Sequence, residues 1–270
     1  MAALGGDHVV TDREARTQPG LVLIHGGYHT ARCWAPTVDE LERQAPDVAV
    51  LAVDLPGRGS SPADLGSVTL ASCVERVVEL IEAAGLDVVV VVGHSLGGLT
   101  ATAVAARLGA NRVAGLVSIA TIVPPEGAST VQAIPWAPAR WFISRLNRSG
   151  RARRPPSRAL ARLAFCNGMS QEQRELVYGQ LCPEATNLFN EPAVRTGLPA
   201  SVPHTWILTL RDRACPARYQ RTYIRRLSRI DDVIEVDTCH DVMISRPATL
   251  AELLAERCRP GWAARISTGR

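Results

Sequence analysis

An unbroken run of valines at 88–92 leads directly into Gly93-His94-Ser95-Leu96-Gly97-Gly98, and residues 96–108 then read as a helix closed by Gly109. No other stretch constrains the fold so tightly. A continuous β-branched strand needs cover on both faces. A strand that reverses into a helix within a few residues forces a sharp turn, with its central side chain exposed at the strand's carboxyl end. Glycines two positions before and after Ser95 remove Cβ atoms that would collide there. Taken alone, the pattern also fits an ordinary strand-to-helix turn.

Similar apolar runs recur at 21–24, 48–53, 113–119, 205–210 and 233–236, and between them lie helical patterns at 37–45, 70–84, 217–228 and 248–257. This alternation predicts an α/β fold with a mostly parallel central sheet flanked by helices. The interval 123–202 breaks the rhythm. It lacks a convincing strand, is punctuated by Pro124, Pro125, Pro135, Pro138, Pro155 and Pro156, and holds helix-like segments at 157–165 and 171–181. The expected organisation is therefore a core of residues 1–122 and 203–270 with a helical cap, 123–202, inserted in it. Such a cap covers the carboxyl edge of the sheet, where open α/β sheets bind ligands.

Composition narrows the chemistry. All 30 basic residues are arginine, against 26 acidic residues. A chain without lysine has no GxxxxGK[ST] phosphate loop, so Asp54-Leu55-Pro56-Gly57-Arg58-Gly59-Ser60-Ser61 reads as a tight turn in which Asp54 is structural. The arginines at 145, 148, 151, 153, 154 and 158 lack interleaved aromatics and make a poor nucleic-acid footprint. They form either a solvated loop or a face for an acyl carrier protein. The seven cysteines (33, 73, 166, 182, 215, 239 and 258) form no CxxC pair, which argues against a disulfide framework or a zinc site and for small buried hydrophobes. Neither a metal nor a cofactor is expected. No stretch reaches the ~18 apolar residues of a spanning helix. The segment 1–18 is charged and lacks an apolar signal region, so no membrane association and a cytoplasmic location are expected.

Ser95 in this setting needs a general base. His240 is the best candidate, because it follows the last strand run in a short loop at the same sheet edge. His25 reads as a brace of the His25-Gly26-Gly27 turn, and His94 adjoins Ser95 with its side chain turned elsewhere. His8, His29 and His204 fall outside the expected edge. Asp212, just past the run 205–210, is placed to fix the histidine's tautomer; a helix-capping or loop carboxylate is the alternative. Asp231, Asp232, Asp237 and Asp241 are rivals by proximity, but none follows the strand before last. The order Ser95, Asp212, His240 is the order used by strand-turn-helix nucleophiles. Glycines after the first strand let the Gly27 N–H pair with that of Leu96 as an oxyanion hole.

At these residues the chain resembles the α/β-hydrolase superfamily over nearly its whole length. The stretches from His25 to Trp34, Gly93 to Gly98 and Cys239 to Met243 are similar to the branch of plant methyl esterases, hydroxynitrile lyases and bacterial esterases. Phe165-Cys166-Asn167-Gly168-Met169-Ser170 looks like a cap motif of bacterial members. The resemblance implies Ser95 as nucleophile, His240 as base, Asp212 as acid, and Gly27 and Leu96 as oxyanion donors. Epoxide hydrolases and haloalkane dehalogenases carry an aspartate where this chain has Ser95. The lyases need a lysine after the catalytic histidine, where this chain has Asp241. The expectation is a serine hydrolase that cleaves a carboxylic ester, thioester or lactone of a small to medium apolar substrate through an acyl-enzyme. Trp136, Trp141, Phe142, Phe165 and Phe189 are candidates to line its acyl pocket. Two alternatives stand beside it: a biosynthetic member performing elimination, cyclisation or thioester release on a natural-product intermediate, and a non-catalytic ligand-binding member.

Overall fold

Val89 to Val92 are each no more than 1% exposed, because the strand that holds them lies inside a sheet covered on both sides. The computed structural model describes residues 8–9, 18–133, 137, 140–141, 144–145, 152–193 and 196–262. Its strands are β1 (His8–Val9), β2 (Gly20–Ile24), β3 (Val50–Val53), β4 (Val89–His94), β5 (Val113–Ile119), β6 (His204–Thr209) and β7 (Asp232–Val236). They form one sheet in the order β1-β3-β2-β4-β5-β6-β7. From β3 to β7 every pairing is parallel, and β1 joins the β3 edge antiparallel. The six apolar runs of the sequence thus become β2 to β7. β1 was not among them, since a two-residue edge strand carries no periodicity to read.

The helices are α1 (Ala35–Gln44), α2 (Leu70–Ala83), α3 (Gly97–Leu108), α4 (Thr130–Ala133), α5 (Arg158–Ala164), α6 (Gln171–Tyr178), α7 (Asn187–Asn190), α8 (Ala217–Ile224), α9 (Val242–Ser245) and α10 (Pro247–Cys258). Alternation along the strands divides the core in two. Leu21, Leu23, Val90 and Val92 pack with Leu41 of α1 and Leu250 and Leu254 of α10. Val22, Ile24, Val89 and Val91 pack with Val77 and Ile81 of α2 and Val104 of α3. Two covered faces explain why the strands read as continuous rather than alternating apolar runs. α2 begins where Thr69 and Ser72 cap each other reciprocally, at 3.1 and 3.0 Å, an arrangement worth about 1 kcal/mol.

Register sets the functional edge. Ile24 pairs with Gly93, His94 with Ile119, Ile119 with Ile207, and Thr209 with Val236. The carboxyl ends of β2, β4, β5, β6 and β7 therefore finish side by side. Between β5 and β6, the described residues hold α4 to α7 and only isolated bridges, such as that between Arg153 and Glu184.

Candidate functional site

The turn after β4 is as tight as its glycines suggest. Ser95 has φ 50°, a left-handed conformation that costs a non-glycine residue energy and persists only where surroundings hold it. Here its N–H donates to Ile119 O at 2.9 Å and its carbonyl accepts from Gly98 N–H at 3.1 Å. A Cβ at Gly97 would lie 2.2 Å from His25 O, and one at Gly93 would lie 2.6 Å from Ala101 Cβ. Glycine lets α3 start directly against the end of β2.

That close approach brings the predicted residues of the two turns together. The Cβ position of Gly26 is 3.0 Å from Ser95 Cβ, and that of Gly27 is 3.5 Å from the Leu96 side chain. Among the described residues, neither the Gly27 N–H nor the Leu96 N–H has an acceptor in the protein. The loop around them is held from several sides. His25 Nδ1 donates to Gly26 O at 2.9 Å while its Nε2 accepts from Leu55 N–H at 3.3 Å. One donor and one acceptor make this a neutral ring, and burial, assisted by the Arg58 charge, pushes the His25 pKa down to about 3. Tyr28, at φ 64°, donates its N–H to Glu184 Oε2 at 2.9 Å and accepts from Cys182 N–H at 2.9 Å. Glu184 is itself ion-paired with Arg58, and both side chains are buried.

His240 Nδ1 donates to Asp212 Oδ2 at 2.7 Å. Asp212 also accepts from Cys215 N–H at 2.7 Å, Thr209 Oγ1 at 2.8 Å and Gln220 Nε2 at 3.4 Å. This cage fixes the carboxylate, and the carboxylate fixes the imidazole with Nδ1 protonated and Nε2 free. Burial works against a charged His240, but the Asp212 charge and hydrogen bond outweigh it and the pKa is raised. Phe165 stacks on the ring, with centroids 5.5 Å apart. His94, expected to point elsewhere, packs against the same ring at 4.7 Å and donates Nε2–H to His240 O at 3.1 Å. Burial, and then the neighbouring His240, holds the His94 pKa well below its ordinary value. Among the described residues the Ser95 hydroxyl and the His240 ring share no hydrogen bond; nucleophile–base contacts are often long without substrate and tighten in its complex.

A second expectation is corrected. His29, read as lying outside the edge, sits inside it, with Nε2 at 3.1 Å from Asp241 Oδ2 and Nδ1 at 2.7 Å from Gly27 O. Sequence reasoning also missed Glu184 and Arg58, which pair with each other from distant loops, and Gln220, whose partners Thr209, Asp212 and Cys215 are near in sequence but carry no motif. Asp241 carried one signal, its place immediately after His240. His94, His240 and Asp241 bring metal-ligand atom types within 4.8 Å of one another, yet His94 Nε2 and His240 Nδ1 are already engaged in the bonds above. Of the candidate pocket aromatics, Phe165 lies on His240, Phe189 lies 6.5 Å from the Tyr28 ring and Trp141 is exposed. Trp136 and Phe142 fall outside the described residues. A narrow cleft reaches Gly26 and Leu96, walled by Leu55, Leu70, Leu99 and Leu188. No helix among the described residues is long and apolar enough to cross a membrane.

Residues 21–253 match the alpha/beta hydrolase family, and the chain belongs to it. It is 28% identical to the carbendazim hydrolyzing esterase of Nocardioides sp. (strain SG-4G), over 87% of this chain and 97% of that protein. It is likewise 28% identical to methylesterase 7 of Arabidopsis thaliana, over 90% of this chain and 97% of the relative. Among solved structures, an extracellular alpha/beta-hydrolase from a Paenibacillus species superposes with a TM-score of 0.78 at 25% identity, covering 89% of this chain and 99% of that one. Family and relatives together support ester hydrolysis as the class of chemistry.

Proposed function

We propose that the chain is a serine esterase working through an acyl-enzyme, with Ser95 as nucleophile, His240 as base and Asp212 as its orienting acid. The observation that carries this reading is the buried 2.7 Å His240–Asp212 pair on the same sheet edge as a strained serine. Beside it, the unengaged Gly27 and Leu96 N–H groups are available to a developing oxyanion. In the reaction, Ser95 Oγ bonds to the ester carbonyl carbon as His240 Nε2 takes its proton, and the carbonyl electron pair moves onto oxygen between the two N–H groups. Collapse expels the alcohol, which leaves with the proton from His240. Water then attacks the acyl-enzyme by the same route and frees the acid. Leucine walls in the adjoining cleft favour a small to medium apolar substrate, and the segment between β5 and β6, which supplies Leu188 and Phe165, acts as the selecting cap.

A fluorophosphonate probe should label Ser95 in the folded protein, and Ser95→Ala should lower turnover of a graded panel of esters, thioesters and lactones by several powers of ten. Near-normal turnover by the alanine variant on every accepted ester would end this account. Absent labelling would favour the ligand-binding alternative.

A carrier-bound ester or thioester, the biosynthetic reading, has one observation in its favour: an open cleft beside Cys166 and Asn167 presents Arg162, Arg174 and Arg213. The arginine run of the sequence contributes less, since Arg158 pairs with Glu175 and Arg153 lies over the Phe189 ring, while Arg148 and Arg151 fall outside the described residues. If the cleft receives an acidic carrier, salt should raise KM for carrier-bound but not for free substrates.

A further inference from the structure

Both ring nitrogens of His29 face acceptors. Gly27 O, 2.7 Å from Nδ1, is a carbonyl and can only accept; Asp241 Oδ2, 3.1 Å from Nε2, belongs to a carboxylate. A neutral imidazole has one N–H to give. Making both bonds at once requires one proton more than a neutral ring and an ionised carboxylate hold, carried either by His29 as imidazolium or by Asp241 as the free acid. His25, four residues earlier, is the internal contrast, since its second nitrogen meets the Leu55 N–H and needs no extra proton. The His29 and Asp241 side chains are 1% and 0% exposed, so water supplies neither of them with a substitute partner.

We propose that His29 and Asp241 are positioning residues: by retaining one buried proton they tie the loop that carries His240 to the Gly27 carbonyl and thereby aim the Gly27 N–H. This rests on the esterase reading above. Peptide planes are rigid, so the His25 bond to Gly26 O orients the plane that bears the Gly27 N–H, and the His29 bond to Gly27 O fixes the next plane. Gly27 has no Cβ to restrict the two torsions between those planes; the histidines do so instead, with Glu184 holding the Tyr28 N–H of the second plane.

The surroundings favour keeping the proton. Facing the pair are His240 in its own loop, and His94, whose Nε2 is 4.0 Å from Asp241 Oδ1. His25 and Cys33 face it from the loop after β2, and Arg58 and Asp54 from the loop after β3. From the segment between β5 and β6 come the Cys182 thiol, 3.5 Å from His29 O, and the edge-packed Phe165 ring. Burial opposes a charged His29, but the Asp241 charge and hydrogen bond exceed it, and the pKa is raised despite the Arg58 charge. When alkali finally removes the proton, one of the two bonds must break and an uncompensated carboxylate remains beside His240.

The test compares kcat and KM across pH for wild type, Asp241→Asn and Asp241→Leu on one accepted ester, with 15N-histidine spectra of the full chain. Wild type should show an alkaline limb in kcat. An asparagine amide can donate to His29 Nε2 while Nδ1–H stays on Gly27 O, so Asp241→Asn should keep activity within about tenfold and lose the alkaline limb. Asp241→Leu leaves His29 Nε2 without a partner and should lower kcat about 10²-fold with little change in KM. An unchanged alkaline limb in the asparagine variant, or identical profiles for the two variants, would overturn the proposal. The spectra read the proton directly, whatever becomes of the esterase reading. His29 protonated on both nitrogens, or a protonated Asp241 facing an Nδ1–H ring, supports the strut, and a neutral His29 beside an ionised Asp241 at neutral pH refutes it.

Discussion

At the scale of single residues, the Asp212 cage and the His240 ring make predictions of opposite kinds. Asp212→Asn preserves shape but supplies an N–H where His240 Nδ1–H needs an acceptor, so the ring is driven to the wrong tautomer. The expected loss in kcat is on the order of 10⁴, with KM little changed, measurable by steady-state kinetics on any accepted ester. Under the proposed mechanism the acid limb of kcat/KM should report His240. The base must be neutral to accept the Ser95 proton, and the Asp212 charge outweighs burial to raise its pKa. Activity should therefore fall as pH drops through a value above that of an ordinary histidine, and removing the carboxylate should move that limb to lower pH. These residues were legible because each follows a strand that the sequence announces. The partners of the second histidine were not, since His29 and Asp241 are separated by 212 positions and no local pattern links a residue before the 3₁₀ turn Ala31–Trp34 to one after β7.

At the scale of elements, the β4–α3 turn is a packing problem solved with glycine. A methyl group at Gly97 meets a backbone carbonyl, His25 O at 2.2 Å, which cannot rotate away as a side chain would. Gly97→Ala should lower stability by about 1–3 kcal/mol in urea melts, with α3 displaced from β2. Turnover should drop further than this loss of stability explains, because Leu96 and Gly27 move apart. Strands β2 to β6 were readable from the sequence for the same reason that they are buried: two covered faces demand unbroken apolar runs. The short helices α4, α7 and α9 were not. Four-residue helices have too few turns for periodicity, and they exist because hydrogen bonds from elsewhere hold them, as when Thr130 Oγ1 donates to Phe189 O at 2.9 Å.

Across the whole molecule, buried charge fixes how the chain responds to mutation and pH. Arg58→Met should cost about 3–5 kcal/mol by stranding the Glu184 carboxylate, whereas the double variant Arg58→Met/Glu184→Gln should regain most of it in a denaturant double-mutant cycle. The histidines set a stability optimum. Burial lowers the pKa of His204 to about 4, that of His25 to about 3 and that of His94 well below normal, so the unfolded chain binds more protons and stability falls as pH drops below roughly 6.5. His29 and His240 are shifted upward, the Asp241 and Asp212 charges overcoming burial. Their contribution is full below the unfolded value and disappears as pH climbs through the raised folded ones. Thermal midpoints of Ser95→Ala protein should accordingly peak near the unfolded histidine value, about pH 6.5, and decline to either side.

Phe165 and Glu184 both belong to the segment between β5 and β6, yet one rests on the His240 ring and the other grips the Tyr28 N–H. Chimeras that transplant this segment from a relative would import two fittings of the candidate site along with the proposed substrate wall. Swapped selectivity would then arrive together with altered turnover, unless the graft keeps a phenylalanine and a glutamate at those two places.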